Sequence, residues 1–149
     1  MTNVREFLLA LTLLLIMVRP LMAHEWKTLC VDGQFCFDYP AELIADSSIT
    51  IDSTAGTLSS ESMKLMYDYG RYSSDFDELS DAKITEVIVD GKDAIKFISQ
   101  KVIALHVAQV REIPGMGSYM KLSIEIQFVD DTDHQLAQKT FESIRFLIE

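Results

Sequence analysis

The stretch Leu29–Pro40, LCVDGQFCFDYP, constrains this chain more than any other. Two apolar runs flank Asp32-Gly33, a dipeptide that accepts the positive φ angles of a tight turn, so the segment predicts a β-hairpin. Successive strand residues alternate between faces. A register that sets Cys30 opposite Cys36 and Val31 opposite Phe35 therefore gathers Leu29, Val31, Phe35, Phe37 and Tyr39 on one face and both cysteines on the other. One face goes to a core, and the other is expected to carry a Cys30–Cys36 disulfide. An oxidising compartment and the closeness of the two residues favour the bridge. Zinc would require more ligands than two cysteines, and a redox pair is usually spaced C-x-x-C. Closing so short a loop contributes only about 2 kcal/mol in the chain-entropy model. The bridge is a local staple, not the source of the fold.

The compartment is read from residues 1–23. Arg5 precedes an apolar run from Phe7 to Val18, and a short segment then ends at Ala23, a small residue suited to cleavage. As a helix the run reaches about 18 Å, short of the roughly 30 Å hydrocarbon core, so it reads as a signal peptide. Leu21 and Arg19 are imperfect for cleavage, which leaves a retained anchor as the alternative. Residues 24–149 are one domain's worth of chain, expected to be periplasmic or secreted with no stable membrane insertion once the leader is gone. The formal net charge is −10. Nucleic acid and anionic lipid both require a basic surface, so neither fits as a partner. A cationic protein does fit, although acidity also serves simply to keep an exported protein in solution.

Further along, Ala41–Asp46 reads as a short helical turn, Ile49–Ile51 as a short strand, and the Ser-, Thr- and Gly-rich Ser53–Ser62 as a loop. In Met63–Tyr69, Leu65, Tyr67 and Tyr69 alternate with polar neighbours, the period of a half-buried strand. Gly70–Leu79 is polar and acidic, with one helical turn expected at Asp75–Leu79. Ile84–Val89 and Ala94–Ile98 flank Asp90-Gly91 and repeat the hairpin signal. Val102–Ile113 and Ser118–Val129 are strands joined at Pro114-Gly115-Met116-Gly117. In the second, Met120, Leu122, Ile124, Ile126 and Phe128 predict one buried face and one wet one. Thr132-x-x-Gln135 has capping-box spacing, and Leu136, Thr140, Phe141, Ile144 and Leu147 follow at helical spacing. The expected fold is α+β, an antiparallel sheet of six to eight strands built from hairpins, packed by a C-terminal amphipathic helix and one or two short helices.

Three segments, FCFDYPAEL, VDGKDAIKF and KTFESIRF, resemble the framework of the Mog1/PsbP-like proteins, in which an F-x-F-x-Y-P strand opens the domain and a helix ending in S-I-x-F closes it. The resemblance covers roughly residues 35–146. It implies an antiparallel sheet flanked by helices and a binding or accessory role. It carries over no catalytic residue, because the matching positions are apolar, turn-forming or capping.

The residues themselves supply no catalytic set. If cleavage follows Ala23, His24 becomes an amino-terminal histidine able to chelate copper, but a copper protein of that kind needs a second histidine beside it, from His106 or His134. Gly115-Met116-Gly117-Ser118 is not a G-x-S-x-G elbow, and its glycines suit a hairpin turn. The carboxylates at Asp75, Asp77, Glu78 and Asp81, and at Asp130, Asp131 and Asp133, lie in polar loops without the spacing of a calcium site. No cofactor or metal is expected, and no enzymatic activity.

Binding remains. The first reading is a non-enzymatic exported protein-binding domain, an inhibitor or immunity protein against a cationic cell-wall hydrolase or secreted toxin. Asp32, Gly33 and Gln34 would present a preorganised, disulfide-closed tip to the partner. The second reading is an accessory or assembly factor of the Mog1/PsbP-like kind, using the segment around Tyr67, Tyr69, Arg71 and Tyr72, since Tyr and Arg are enriched at binding hot spots. Tyr67 and Tyr69 fall on the apolar side of their strand and suit a core instead. A homodimer stays open.

Overall fold

The computed structural model describes residues 24–46 and 53–147. Residues 1–23, expected to be a signal peptide, and the expected strand at Ile49–Ile51 lie outside them. The described chain runs β1 (Trp26–Val31), β2 (Phe35–Pro40), β3 (Ile44–Ala45), β4 (Ser53–Ser59), β5 (Met63–Gly70), β6 (Lys83–Val89), β7 (Lys92–Ile98), β8 (Val102–Ile113), β9 (Ser118–Phe128), α1 (His134–Glu142) and β10 (Arg145–Phe146).

The strands form two antiparallel sheets. A small one has the order β1-β2-β10, and a seven-stranded one has the order β3-β4-β5-β9-β8-β7-β6. The first hairpin has the expected register, with Cys30 opposite Cys36 and Val31 opposite Phe35. Asp32 and Gly33 take φ of 45° and 68°, and the Gln34 amide donates to the Val31 carbonyl at 2.8 Å. The Cys30–Cys36 disulfide is formed, across Cα atoms 4.1 Å apart.

Adjacent residues of the large sheet face opposite ways, so its inner face collects Leu65, Tyr67 and Tyr69 from β5, Ile103, Leu105 and Val107 from β8, and Leu122, Ile124 and Ile126 from β9. The small sheet and α1 cover this face with Phe35, Phe37, Leu136, Phe141 and Ile144, all buried. Phe35 and Phe37 stack at 6.0 Å, and Tyr67 meets both edge-on. Gly56, directly opposite Tyr67, leaves the space across which that ring lies.

Four expectations change. Ser53–Ser59 is a strand, held by its ladder to β5 although its own side chains show no apolar period. Ala41–Asp46 is a turn leading into β3, and Asp75–Leu79 forms turns only, so α1 is the one helix among the described residues. The helix begins one residue later than expected: Asp133 is the N-cap, its Oδ1 accepting from the Leu136 amide at 2.9 Å. It also ends early. Ser143 Oγ donates to the Thr140 carbonyl and accepts from the Asp38 amide, and Arg145–Phe146 then pair with β2.

The fifth difference positions everything that follows. Because β9 lies between β5 and β8, the chain leaving β5 must cross three strands to reach β6 at the sheet's edge. This crossover, residues 71–82, passes over the outer face. It buries Phe76 against Phe97 and Ala104, with Leu79, Ala82 and Val102 around them. The face expected to be wet is partly covered.

Candidate functional site

The β1–β2 tip, the end of β5 and the β8–β9 turn meet at one end of the molecule. Hydrogen bonds trace the convergence. Tyr69 Oη donates to Gln34 Oε1 at 3.5 Å, and Thr54, the ladder partner of Tyr69, donates from Oγ1 to Asp32 Oδ2 at 3.4 Å. Gln34 Nε2 folds back onto the Asp32 carbonyl, and the Gln34 carbonyl accepts from the Leu147 amide. Gln34 is therefore committed within the protein, while Asp32 and Gly33 stay exposed. Burial raises the Tyr69 phenol above its ordinary pKa, with Arg111 opposing, so the hydroxyl stays a neutral donor.

Arg71 and Tyr72 continue from the end of β5 beside this tip. Tyr72 is 76% exposed, and the Arg71 guanidinium lies 5.3 Å from its ring centroid. Arg71 Nη1 also approaches Met116 Sδ at 3.8 Å, from a turn in which Gly115 and Gly117 take φ of 74° and 57°. Met116 is 60% exposed, and Tyr119 nearby in β9 is also open to solvent. The five residues expected from the sequence to bind a partner, Asp32, Gly33, Gln34, Arg71 and Tyr72, lie toward one end, but Gln34 is bonded within the protein and does not reach outward as expected. The structure adds Met116 and Tyr119, which turn residues and strand alternation gave no reason to single out. Tyr67 and Tyr69 belong to the core, at 9% and 2% exposure.

The histidines are dispersed. His24 Nδ1 is 3.4 Å from Glu42 Oε2, and His134 lies at the start of α1 near Thr132. His106 is buried on the outer face of the large sheet, the side away from β1, with Nδ1 3.1 Å from Ser123 Oγ. His24 precedes β1, His106 lies on β8 and His134 opens α1, so the three belong to separate elements. No group of three or more His, Cys, Asp or Glu side chains suited to a metal is found among the described residues.

His106, Ser123 and Asp68 occupy neighbouring positions on β8, β9 and β5, so a hydrolytic triad has to be considered. The order is wrong for one. Ser123 Oγ donates to the Ser74 carbonyl, so it accepts from His106 Nδ1–H; the ring nitrogen that faces the serine carries the proton, and the remaining lone pair, on Nε2, is not the one at hydrogen-bond distance from Ser123. The three-part chain of His106, Ser123 and Ser74 pins the crossover to the sheet. Burial and the charge of Lys121 hold the His106 pKa below its ordinary value, while the Ser74 contact and Asp75 act in the other direction.

No protein-family model, curated protein or solved structure matches the chain.

Proposed function

We propose that this chain is an exported, non-enzymatic protein-binding domain that docks its partner through the end carrying Asp32, Arg71, Tyr72, Met116 and Tyr119. The observation that carries the reading is the exposed Arg71–Tyr72 pair, seated beside a hairpin tip that the disulfide and the Tyr69–Gln34 bond hold in place. Large amphipathic side chains supported by rigid structure lose little entropy on docking. A basic partner suits the charge of −10, and a cationic cell-wall hydrolase or toxin, bound as by an inhibitor or immunity protein, is the form that we favour. The disulfide supports a periplasmic or secreted location, and no helix among the described residues is long and apolar enough to cross a membrane. The second reading, an accessory factor of the Mog1/PsbP-like kind, draws on the antiparallel sheet closed by a C-terminal helix.

Affinity capture from the periplasm, with residues 24–149 as bait, tests the proposal. A basic protein should be retained, should elute with rising salt, and should be lost with Tyr72→Ala and weakened by Asp32→Lys. Retention of the same partner by both variants, or a complex indifferent to salt, overturns the inhibitor reading. An envelope assembly captured equally by Asp32→Lys identifies the accessory factor.

A further inference from the structure

A second surface lies along the edge of the large sheet, on strands other than those that form the hairpin tip, although the turn between β6 and β7 touches the small sheet, where Asp90 Oδ2 accepts from the Phe146 amide at 2.7 Å. β6 is its edge strand, bonded to β7 on one side and, among the described residues, to no strand on the other. An edge of seven residues presents a row of unpaired amides and carbonyls. Its outer-face side chains are Ile84, Glu86 and Ile88, and the two isoleucines are 60% and 68% exposed. Isoleucine is costly to leave in water and suited to a paired strand. On the same face of β7, Ile95 lies opposite Glu86, and Asp93 lies opposite Ile88. Two carboxylates and three isoleucines therefore alternate across the two strands. Neither Glu86 nor Asp93 is in an ion pair among the described residues.

The sheet opens at this point. β8 pairs with β7 only from His106 to Ile103, and just beyond, between Val107 and Arg111, its pairing with β9 is interrupted by a bulge. Asp93 has no partner on β8, and a groove of about 850 Å³ opens there, its lining including Glu86, Ile88, Lys92, Asp93, Ile95 and His106.

We propose that β6 takes an eighth strand from another protein, an extended segment with an apolar–x–basic–x–apolar pattern whose basic residue stands opposite Glu86. The occupant follows from charge. In a second copy of this chain, the antiparallel register that sets Ile84 against Ile88 also sets Glu86 against Glu86, a like-charge pair directly opposed. A lysine or arginine at that place turns the same position from repulsive to attractive, while flanking apolar residues cover the two isoleucines. The pattern Ile-x-Glu-x-Ile is the same read in either direction, so it selects composition and leaves strand direction to the rest of the partner. Acidic edge residues also serve to keep sheets apart, and here that device against self-pairing is what discriminates in favour of a basic strand. The proposal does not rest on the docking end described above.

The test uses the protein as recovered from cells that express it, titrated with the capped peptide Thr-Val-Thr-Arg-Thr-Val-Thr and with the same peptide carrying Glu in place of Arg. Amide NMR shifts and hydrogen exchange report the site. The Arg peptide should protect the β6 amides that point away from β7 and should bind about tenfold more tightly than the Glu peptide. Glu86→Lys, an exposed change that leaves the core intact, should invert that preference. The proposal is overturned if the two peptides bind alike, if protection appears only at the hairpin tip, or if Glu86→Lys leaves the preference unchanged. Protection of β6 in the peptide-free protein that disappears on dilution overturns it too, in favour of a second copy as occupant.

Discussion

The two faces of the seven-stranded sheet are covered by different means. The inner face is closed by a sheet and a helix that bring whole side chains: Phe35, Phe37, Phe141 and Ile144 against Tyr67, Leu105, Ile124 and Ile126. The outer face is crossed by a single length of irregular chain, held by Phe76 and by the hydrogen bonds of Ser73, Ser74, Ser123 and His106. Burial of apolar area is indifferent to pH and spread over many residues, so the inner face should fail only with the whole fold. A strap fixed by one plug and a few polar bonds should open locally and respond to protons.

The largest effect is expected at Phe37, fully buried among Phe35, Tyr39 and Tyr67. Phe37→Ala should cost about 3–5 kcal/mol, read as a lower urea midpoint with hydrogen exchange accelerated throughout both sheets. A loss confined to β1 and β2 would break the claim that the inner face is one cooperative unit. The staple on that lid should matter less. Replacing Cys30 and Cys36 together by Ser should cost about 2 kcal/mol, the entropy of a short closed loop, without unfolding the large sheet. An equal loss under reducing conditions in the native protein checks that the bridge, and not the serines, is responsible.

Phe76 sharpens the contrast from the other side. It is 3% exposed, yet its backbone takes φ of 61°, a conformation that bulky L residues rarely adopt. Burial of the ring between Phe97 and Ala104 holds it there. Phe76→Ala should cost about 1–2 kcal/mol, since the loss cannot exceed the free energy by which the closed strap is favoured over the open one. Phe76→Gly should cost less than Phe76→Ala by up to about 1 kcal/mol, the reverse of the usual order, because glycine relieves the backbone. Exchange should rise in residues 71–82 while β5 and β9 amides stay protected; acceleration in those strands would show that the strap is part of the core.

The same division explains what could be read from the residues alone. The hairpin register was legible because alternation, an Asp-Gly turn and two cysteines all demand the same pairing, and β5 and β9 were legible because one of their faces is apolar without interruption. β4 was not, because STAGTLS has no period of its own; its pairing comes from β5, and Gly56 is there for the Tyr67 ring. The crossover was hidden for a similar reason. A lone Phe76 within SSDFDEL carries no periodic signal, and its target is set by a strand order that nothing local encodes. Asp32, Arg71 and Tyr72 were recognisable by residue type. Their meeting at one end, and the opening of β6 beside the β8 bulge, depend on that strand order too.

The smallest expected effect is the one that tests the outer face most directly. Burial keeps His106 neutral, with its pKa held below the ordinary value, against Ser123 on β9, Ser74 and Asp75 on the strap, and the charge of Lys121. Below about pH 6.5 the unfolded chain takes up a proton that the folded chain resists. Stability contributed by this site is therefore complete above that pH and declines as pH falls toward the lower folded-state pKa. The urea midpoint should drop between about pH 7.5 and about pH 5, and exchange in residues 71–82 should quicken before that of β5 or β9. In His106→Gln, which can keep a bond to Ser123 but cannot titrate, much of that slope should vanish. A slope unchanged in this variant would assign the pH response to the carboxylates and leave the strap held by Phe76 and the serine hydrogen bonds without a contribution from His106.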